Sequence, residues 1–135
     1  MGVIFDTSVL ISLERGLNEL DTLIEGRESE PFGISVVTVS ELLHGVHRAD
    51  SEKRRLTRSA FVEKIIQTFP LYPFDLGAAR IYAKLWSNLA KKGMAIGAHD
   101  LMIASTAIAL GFSVVTSDLR DYGKVKELTV EKFTL

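Results

Sequence analysis

Three short, mainly apolar runs constrain this chain most. Gly2-Val3-Ile4-Phe5, Ile34-Ser35-Val36-Val37 and Phe112-Ser113-Val114-Val115-Thr116 are too short for helices and lack the alternation of a half-solvated strand. Runs of this kind suit strands buried on both faces, as in a parallel sheet covered by helices. The intervening segments carry helical spacing. Ser8 to Arg15 reads as a short helix stopped by Gly16, and Leu17 to Glu25 repeats Leu17, Leu20, Leu23 and Ile24. Thr38 or Ser40 can cap a helix through about Arg48, with Leu42, Leu43 and Val46 inward. A charged helix over Ser51–Thr68 has Leu56, Ala60, Phe61, Ile65 and Ile66 as its apolar stripe. Pro70 to Phe74 reads as a short edge strand, because its two prolines remove ladder donors. Asp75 caps a helix with a wide apolar face that includes Leu76, Tyr82, Leu85, Trp86 and Leu89 and ends at Gly93. Ala98 to Leu110 is apolar almost all round and reads as a central, buried helix. Thr129 to Phe133 alternates and closes the chain as a strand. Strands alternating with helices predict an α/β fold, a three-layer α/β/α sandwich on a parallel sheet of four or five strands. Ligands of such sheets bind at the carboxyl ends of the strands.

The 135 residues suit one domain, residues 1–135, and no Pro/Gly/Ser-rich linker divides them. With 47% hydrophobic and 24% charged residues and a net charge of -1, the composition is that of a globular chain rather than a disordered one. The absence of cysteine removes disulfide frameworks, zinc–thiolate sites and thiol nucleophiles together. No apolar run reaches the length that spans a bilayer, and the N-terminus lacks a basic leader, so a soluble cytoplasmic protein is the expectation. The near-zero charge hides an asymmetry. Residues 1–42 hold eight acids and two bases, and residues 43–135 hold nine acids and fourteen bases. A polarised distribution of this kind can orient an anionic partner.

Four acids occupy costly positions. Asp6 follows the first strand, Glu41 lies early in the helix after the second, Asp100 opens the all-apolar helix, and Asp118 follows the strand ending at Thr116. Each alone has an ordinary explanation as a helix cap or a first-turn acid favoured by the helix dipole. Together they would gather four like charges at one sheet edge, which is unfavourable without a compensating cation. An all-oxygen donor set favours a hard ion, Mg²⁺ or Mn²⁺ rather than Zn²⁺. Such ions activate water and stabilise charge on a phosphodiester under in-line attack. Walker-type and GxGxxG nucleotide loops are absent.

The segments Phe5–Leu13 (FDTSVLISL), Val39-Ser40-Glu41-Leu42, Gly97–Ala104 (GAHDLMIA) and Val114–Asp118 (VVTSD) resemble those of the PIN-domain ribonucleases, especially VapC-type toxins of type II toxin–antitoxin pairs. They stand in the family's order, and the likeness covers essentially the whole chain. The resemblance implies a PIN-like fold and a Mg²⁺- or Mn²⁺-dependent endoribonuclease. The implied metal-holding and catalytic acids are Asp6, Glu41, Asp100 and Asp118, with Asp121 as an alternative fourth acid and Tyr122 as the aromatic that follows. Thr7 or Ser8 and Thr116 match the hydroxyls that position metal or substrate, and either Glu41 or Asp100 would orient or deprotonate the attacking water. Implied partners are an RNA substrate, a VapB-type antitoxin and a second copy of the chain. The alternatives are a PIN nuclease of RNA processing without a toxin role, and a metal-binding RNA-binding or receiver-like module that does not cleave. An aspartyl phosphotransferase at Asp6 is disfavoured, because such enzymes place a second Asp two residues on, where this chain has Ser8.

Arg54, Arg55 and Arg58, with Lys53, make a basic cluster that reads either as a solvated face or as a contact for RNA or antitoxin, and Arg80 reads the same way. Trp86, Tyr82 and Leu85 read as core. His44, His47 and His99 read as local or surface histidines rather than ligands.

Overall fold

The computed structural model describes residues 1–16 and 18–134. In chain order its elements are β1 (Val3–Phe5), α1 (Thr7–Glu14), α2 (Leu20–Ile24), β2 (Phe32–Ser35), α3 (Val36–His47), α4 (Glu52–Thr68), β3 (Leu71–Tyr72), α5 (Leu76–Lys91), α6 (Ala98–Leu110), β4 (Ser113–Thr116), α7 (Leu119–Tyr122) and β5 (Val130–Lys132). Leu17, counted above in the second helical stretch, lies outside the described residues.

The strands form one five-stranded sheet, in the order β3-β2-β1-β4-β5, with every pairing parallel. In the centre, Ile4 stands opposite Gly33 of β2 and Val114 of β4. Gly33 is required by close approach: a Cβ there would lie 2.4 Å from the Pro70 carbonyl oxygen. Alternate side chains enter opposite layers. Val3, Phe5 and Val115 join Val9 and Leu10 of α1, Val46 of α3 and Val62 and Ile65 of α4 on one face. Ile4 and Val114 join Leu85 and Leu89 of α5 and Leu101, Ile103, Ala104 and Ala107 of α6 on the other. The α/β/α sandwich read from the sequence is therefore present, with five strands. Phe5, Phe32 and Phe69 meet edge to face at 6.0–6.4 Å and tie β1 and β2 to the end of α4. Each such pair contributes about 0.5–1.5 kcal/mol beyond its buried area.

The element boundaries follow local chemistry. Asp6 caps α1, Ser51 caps α4 and Asp75 caps α5, each accepting a backbone N–H from the first turn. Gly111 ends α6 in the left-handed conformation, with φ at 72°.

Several expectations need correction. Val36 and Val37 belong to α3 rather than to the second strand, because the Ser35 hydroxyl accepts the Val37 N–H at 3.0 Å and starts the helix three residues before Thr38. On α4, Leu56 and Ala60 face solvent, and Val62 takes the buried place instead. Leu76 and Trp86 are exposed, the indole by 62%, because α5 buries only the line through Ala78, Leu85 and Leu89. The short helix α7 has too few residues to show periodicity in the sequence.

Candidate active site

The chain runs outward from β1 through β2 to β3, then returns to place β4 on the other side of β1. The strand order thus reverses between β1 and β4, and a crevice opens at such a reversal beyond the carboxyl ends of the two strands. Asp6 follows β1 there, and Ser117 and Asp118 follow β4. Asp100 arrives in the first turn of α6 and Glu41 from the second turn of α3. A cleft of about 250 Å³ is lined by Asp6, Thr7, Ser8, Glu41, Asp100, Asp118, Asp121 and Tyr122, with Ile11 at its edge. The four acids and the alternative Asp121 therefore converge on one crevice.

Asp6 is its most enclosed acid, 5% exposed. Its Oδ2 accepts the hydroxyls of Ser8 at 2.8 Å and Thr116 at 2.9 Å, and its Oδ1 accepts the Tyr122 hydroxyl at 2.7 Å. Three hydroxyls from α1, β4 and α7 thus hold one carboxylate in place, compensating for its loss of water. Ser8 Oγ also accepts the Ser117 N–H, and Thr116 Oγ1 the Asp118 N–H, so the same hydroxyls tie the β4–α7 turn to α1. Glu41 is held by the Thr7 hydroxyl, which donates to its Oε1 at 2.8 Å and lies 3.1 Å from the Thr38 hydroxyl. Its other oxygen stands 3.6 Å from His99 Nδ1.

Asp100 bears the strain of the cluster. Burial, then the charges of Asp6, Glu41 and Asp121, push its carboxyl from 3.8 up to about 6, against the Tyr122 hydrogen bond. Burial, followed by the charges of Asp6 and Asp100, raises the Tyr122 phenol above its usual value, so it remains a donor.

The two candidates for the fourth acid differ in their surroundings. Asp118 is exposed and caps α7, its Oδ1 accepting the Arg120 N–H at 3.0 Å. Asp121 is half-buried, acts on Asp100, and pairs with Lys124 at 3.1 Å.

The donor chemistry suits a hard divalent cation: oxygen atoms only, an excess of negative charge, and a carboxyl whose ionisation the neighbouring acids resist. Among the described residues, no three His, Asp or Glu side chains stand close enough to enclose an ion by themselves. Mg²⁺ does not require that enclosure, since it keeps several waters and is commonly held by one or two carboxylates.

The basic residues distribute unevenly. Arg54 pairs with Asp50 at 2.9 Å, and Arg55 pairs with Glu52. Arg58 instead donates to the Gly45 carbonyl at 3.2 Å. It lines a larger cleft, about 620 Å³, that shares Thr7, Ile11 and Glu41 with the acid cleft and includes Arg15, His44 and His99. Arg80 is exposed on α5, across the sheet from α4. The sequence reading missed two features here: the Tyr122 hydroxyl beneath two acids, and His99 at the mouth of the cleft beside Glu41.

Comparison with known proteins agrees with this geometry. The chain is 37% identical over 130 residues to a Ribonuclease VapC of Rickettsia bellii, an alignment covering 96% of this chain and 95% of that one. The solved structure of DNA-bound VapBC from Salmonella typhimurium superposes with a TM-score of 0.85 at 28% identity, covering 98% of each chain. VapBC-5 of Mycobacterium tuberculosis, described as a member of the VapBC family of toxin–antitoxin systems, superposes with a TM-score of 0.75 at 29% identity, covering 99% of this chain and 98% of that one. The PIN domain model matches residues 3–128, a span that holds every acid of the cleft, and the chain belongs to the PIN-domain family.

Proposed function

We propose that this chain is the ribonuclease toxin of a toxin–antitoxin pair, an endoribonuclease that hydrolyses RNA phosphodiester bonds with Mg²⁺ or Mn²⁺ bound at the acid cleft. The observation that carries the reading is the convergence of Asp6, Glu41, Asp100, Asp118 and Asp121 on one crevice, where burial and then neighbouring charge raise the Asp100 carboxyl to about 6. Uncompensated, that charge costs stability and repels a phosphate, so the arrangement makes sense only with a cation. The similarity to proteins named ribonuclease VapC and to VapBC complexes supports the same reading and brings with it a VapB-type antitoxin. We also take the protein to act as a homodimer.

Asp6, Glu41 and Asp100 would hold the main ion, in part through its waters, with Asp118 or Asp121 completing the site. The cation, when bound, polarises the scissile phosphate and lowers the pKa of water beside it. The chain's own groups do the rest. Asp6, fixed by three hydroxyls, keeps its carboxylate aimed without searching rotamers. Thr7 holds one oxygen of Glu41 and leaves Oε2 to orient a water or accept its proton. Asp100, whose carboxyl is raised to about 6 without the ion, would be held as the carboxylate by the cation's charge. Arg58 and Arg15 along the adjoining cleft offer positive charge to the phosphates of the strand leaving the cleavage point, with His44 beside them.

The test is cleavage of a mixed RNA substrate by the purified chain. Cleavage with Mg²⁺ or Mn²⁺, lost with excess chelator and lost in Asp6→Asn and Asp100→Asn, is the expected result. Undiminished cleavage in excess chelator would sink the reading.

A further inference from the structure

Tyr122 is 2% exposed: its ring packs in the apolar cluster of α5, α6 and β4, and its buried hydroxyl reaches the acid cleft. A phenylalanine would fill the same place without that desolvation cost, unless the hydroxyl has a task. Its partners indicate one. It donates to Asp6 Oδ1 at 2.7 Å and stands 3.4 Å from Asp100 Oδ1. The other oxygen of Asp6 is already taken by Ser8 and Thr116. The Tyr122 hydroxyl thus donates to Asp6 and lies beside Asp100, between the carboxylate that follows β1 and the one on α6, and it approaches them from α7. These two acids repel each other, and each raises the phenol by its charge. The ring cannot yield to that repulsion, because it is clamped in the core.

We propose that Tyr122 is a positioning residue for the cation, its hydroxyl setting the separation and aim of the Asp6 and Asp100 carboxylates. The inference rests on the metal-dependent reading of the site. Without the hydroxyl, Asp6 loses its tether toward α6, and the two acids turn apart when no ion is bound. The cation must then draw them together at its own expense. Groups that orient metal ligands from behind typically change metal affinity by about 10–100-fold when removed.

The probe is Mn²⁺ alone, titrated into the full chain by calorimetry and by the electron paramagnetic resonance signal of the free ion. Tyr122→Phe keeps the ring and removes only the hydroxyl. Its Mn²⁺ dissociation constant is expected to rise at least about tenfold. In RNA cleavage, the Mn²⁺ concentration for half-maximal rate should rise in step, while the rate at saturating Mn²⁺ returns most of the way to that of the unaltered chain. A merely structural role would lower the melting temperature in chelator and leave the affinity per folded chain unchanged. An affinity within twofold of the unaltered protein overturns the proposal. Absence of Mn²⁺ binding by the unaltered chain overturns both it and the metal-dependent reading. Binding without RNA cleavage sinks the ribonuclease reading alone, and the affinity comparison then still decides the role of Tyr122.

Discussion

Asp100→Asn should stabilise the metal-free protein while disabling it. The folded state raises this carboxyl from 3.8 to about 6, so ionisation favours unfolding. The stability it withholds is fully present below about pH 3.8 and is lost as pH rises through about 6. At 1.36 kcal/mol per pH unit the loss is at most about 3 kcal/mol. Asp100 is only partly buried, and solvent screening reduces this to about 1–2 kcal/mol. Asparagine keeps the shape and removes the charge. It also forgoes the attraction of a first-turn acid for the helix dipole of α6, which takes back about 0.3–1 kcal/mol. The net gain is then about 1 kcal/mol near neutral pH, or about 3–5 °C in melting temperature for a chain of this size. The assay is urea and thermal denaturation of both proteins in excess chelator at pH 7.5 and at pH 4. The variant should be the more stable at pH 7.5, and the difference should close at pH 4. Adding Mn²⁺ should raise the melting temperature of the unaltered protein more than that of the variant. A variant less stable at pH 7.5 in chelator, or a gain equal at both pH values, would refute the claim that burial and neighbouring charge together disfavour the Asp100 carboxylate.

Asp6→Ala should behave in the opposite way. It removes the α1 cap and the shared acceptor of the Ser8, Thr116 and Tyr122 hydroxyls, costing about 2–4 kcal/mol in urea denaturation as well as all cleavage. Arg58→Ala should raise KM with little change in kcat and reduce the slope of log KM against log salt by about one, whereas Arg54→Ala and Arg55→Ala, already paired to acids, should do neither. Mn²⁺ at a hundred times its dissociation constant should stabilise the unaltered chain by about 2.7 kcal/mol, read as a shift of the urea midpoint. Trp86→Ala should cost less than about 1 kcal/mol, and the tryptophan emission of the native chain should be that of a solvated indole; a cost of 3 kcal/mol or more would mean the indole is core after all.

The parts of this molecule legible in its sequence are those governed by neighbours along the chain. Val3–Phe5 and Val114–Thr116 could be read as buried strands because a strand covered on both faces has no reason to alternate. Asp6, Glu41 and Asp100 stood out because each is a charge set against such a run or at the head of an apolar helix, where burial makes it costly. What escaped was decided by atoms distant in sequence or by a single cap. Val36 and Val37 prolong an apolar run, and only the Ser35 hydroxyl turns them into a helix. Leu56, Leu76 and Trp86 keep helical spacing, yet α4 and α5 each touch the sheet along a line too narrow to cover them. The Tyr122 hydroxyl meets Asp6 across 116 residues, through a four-residue helix with no periodicity to announce it. The strand order β3-β2-β1-β4-β5, which makes the crevice, is likewise a matter of pairing between remote segments. Local cost thus marks which acids need explaining, but only the strand order that places β4 beside β1 makes them share one crevice.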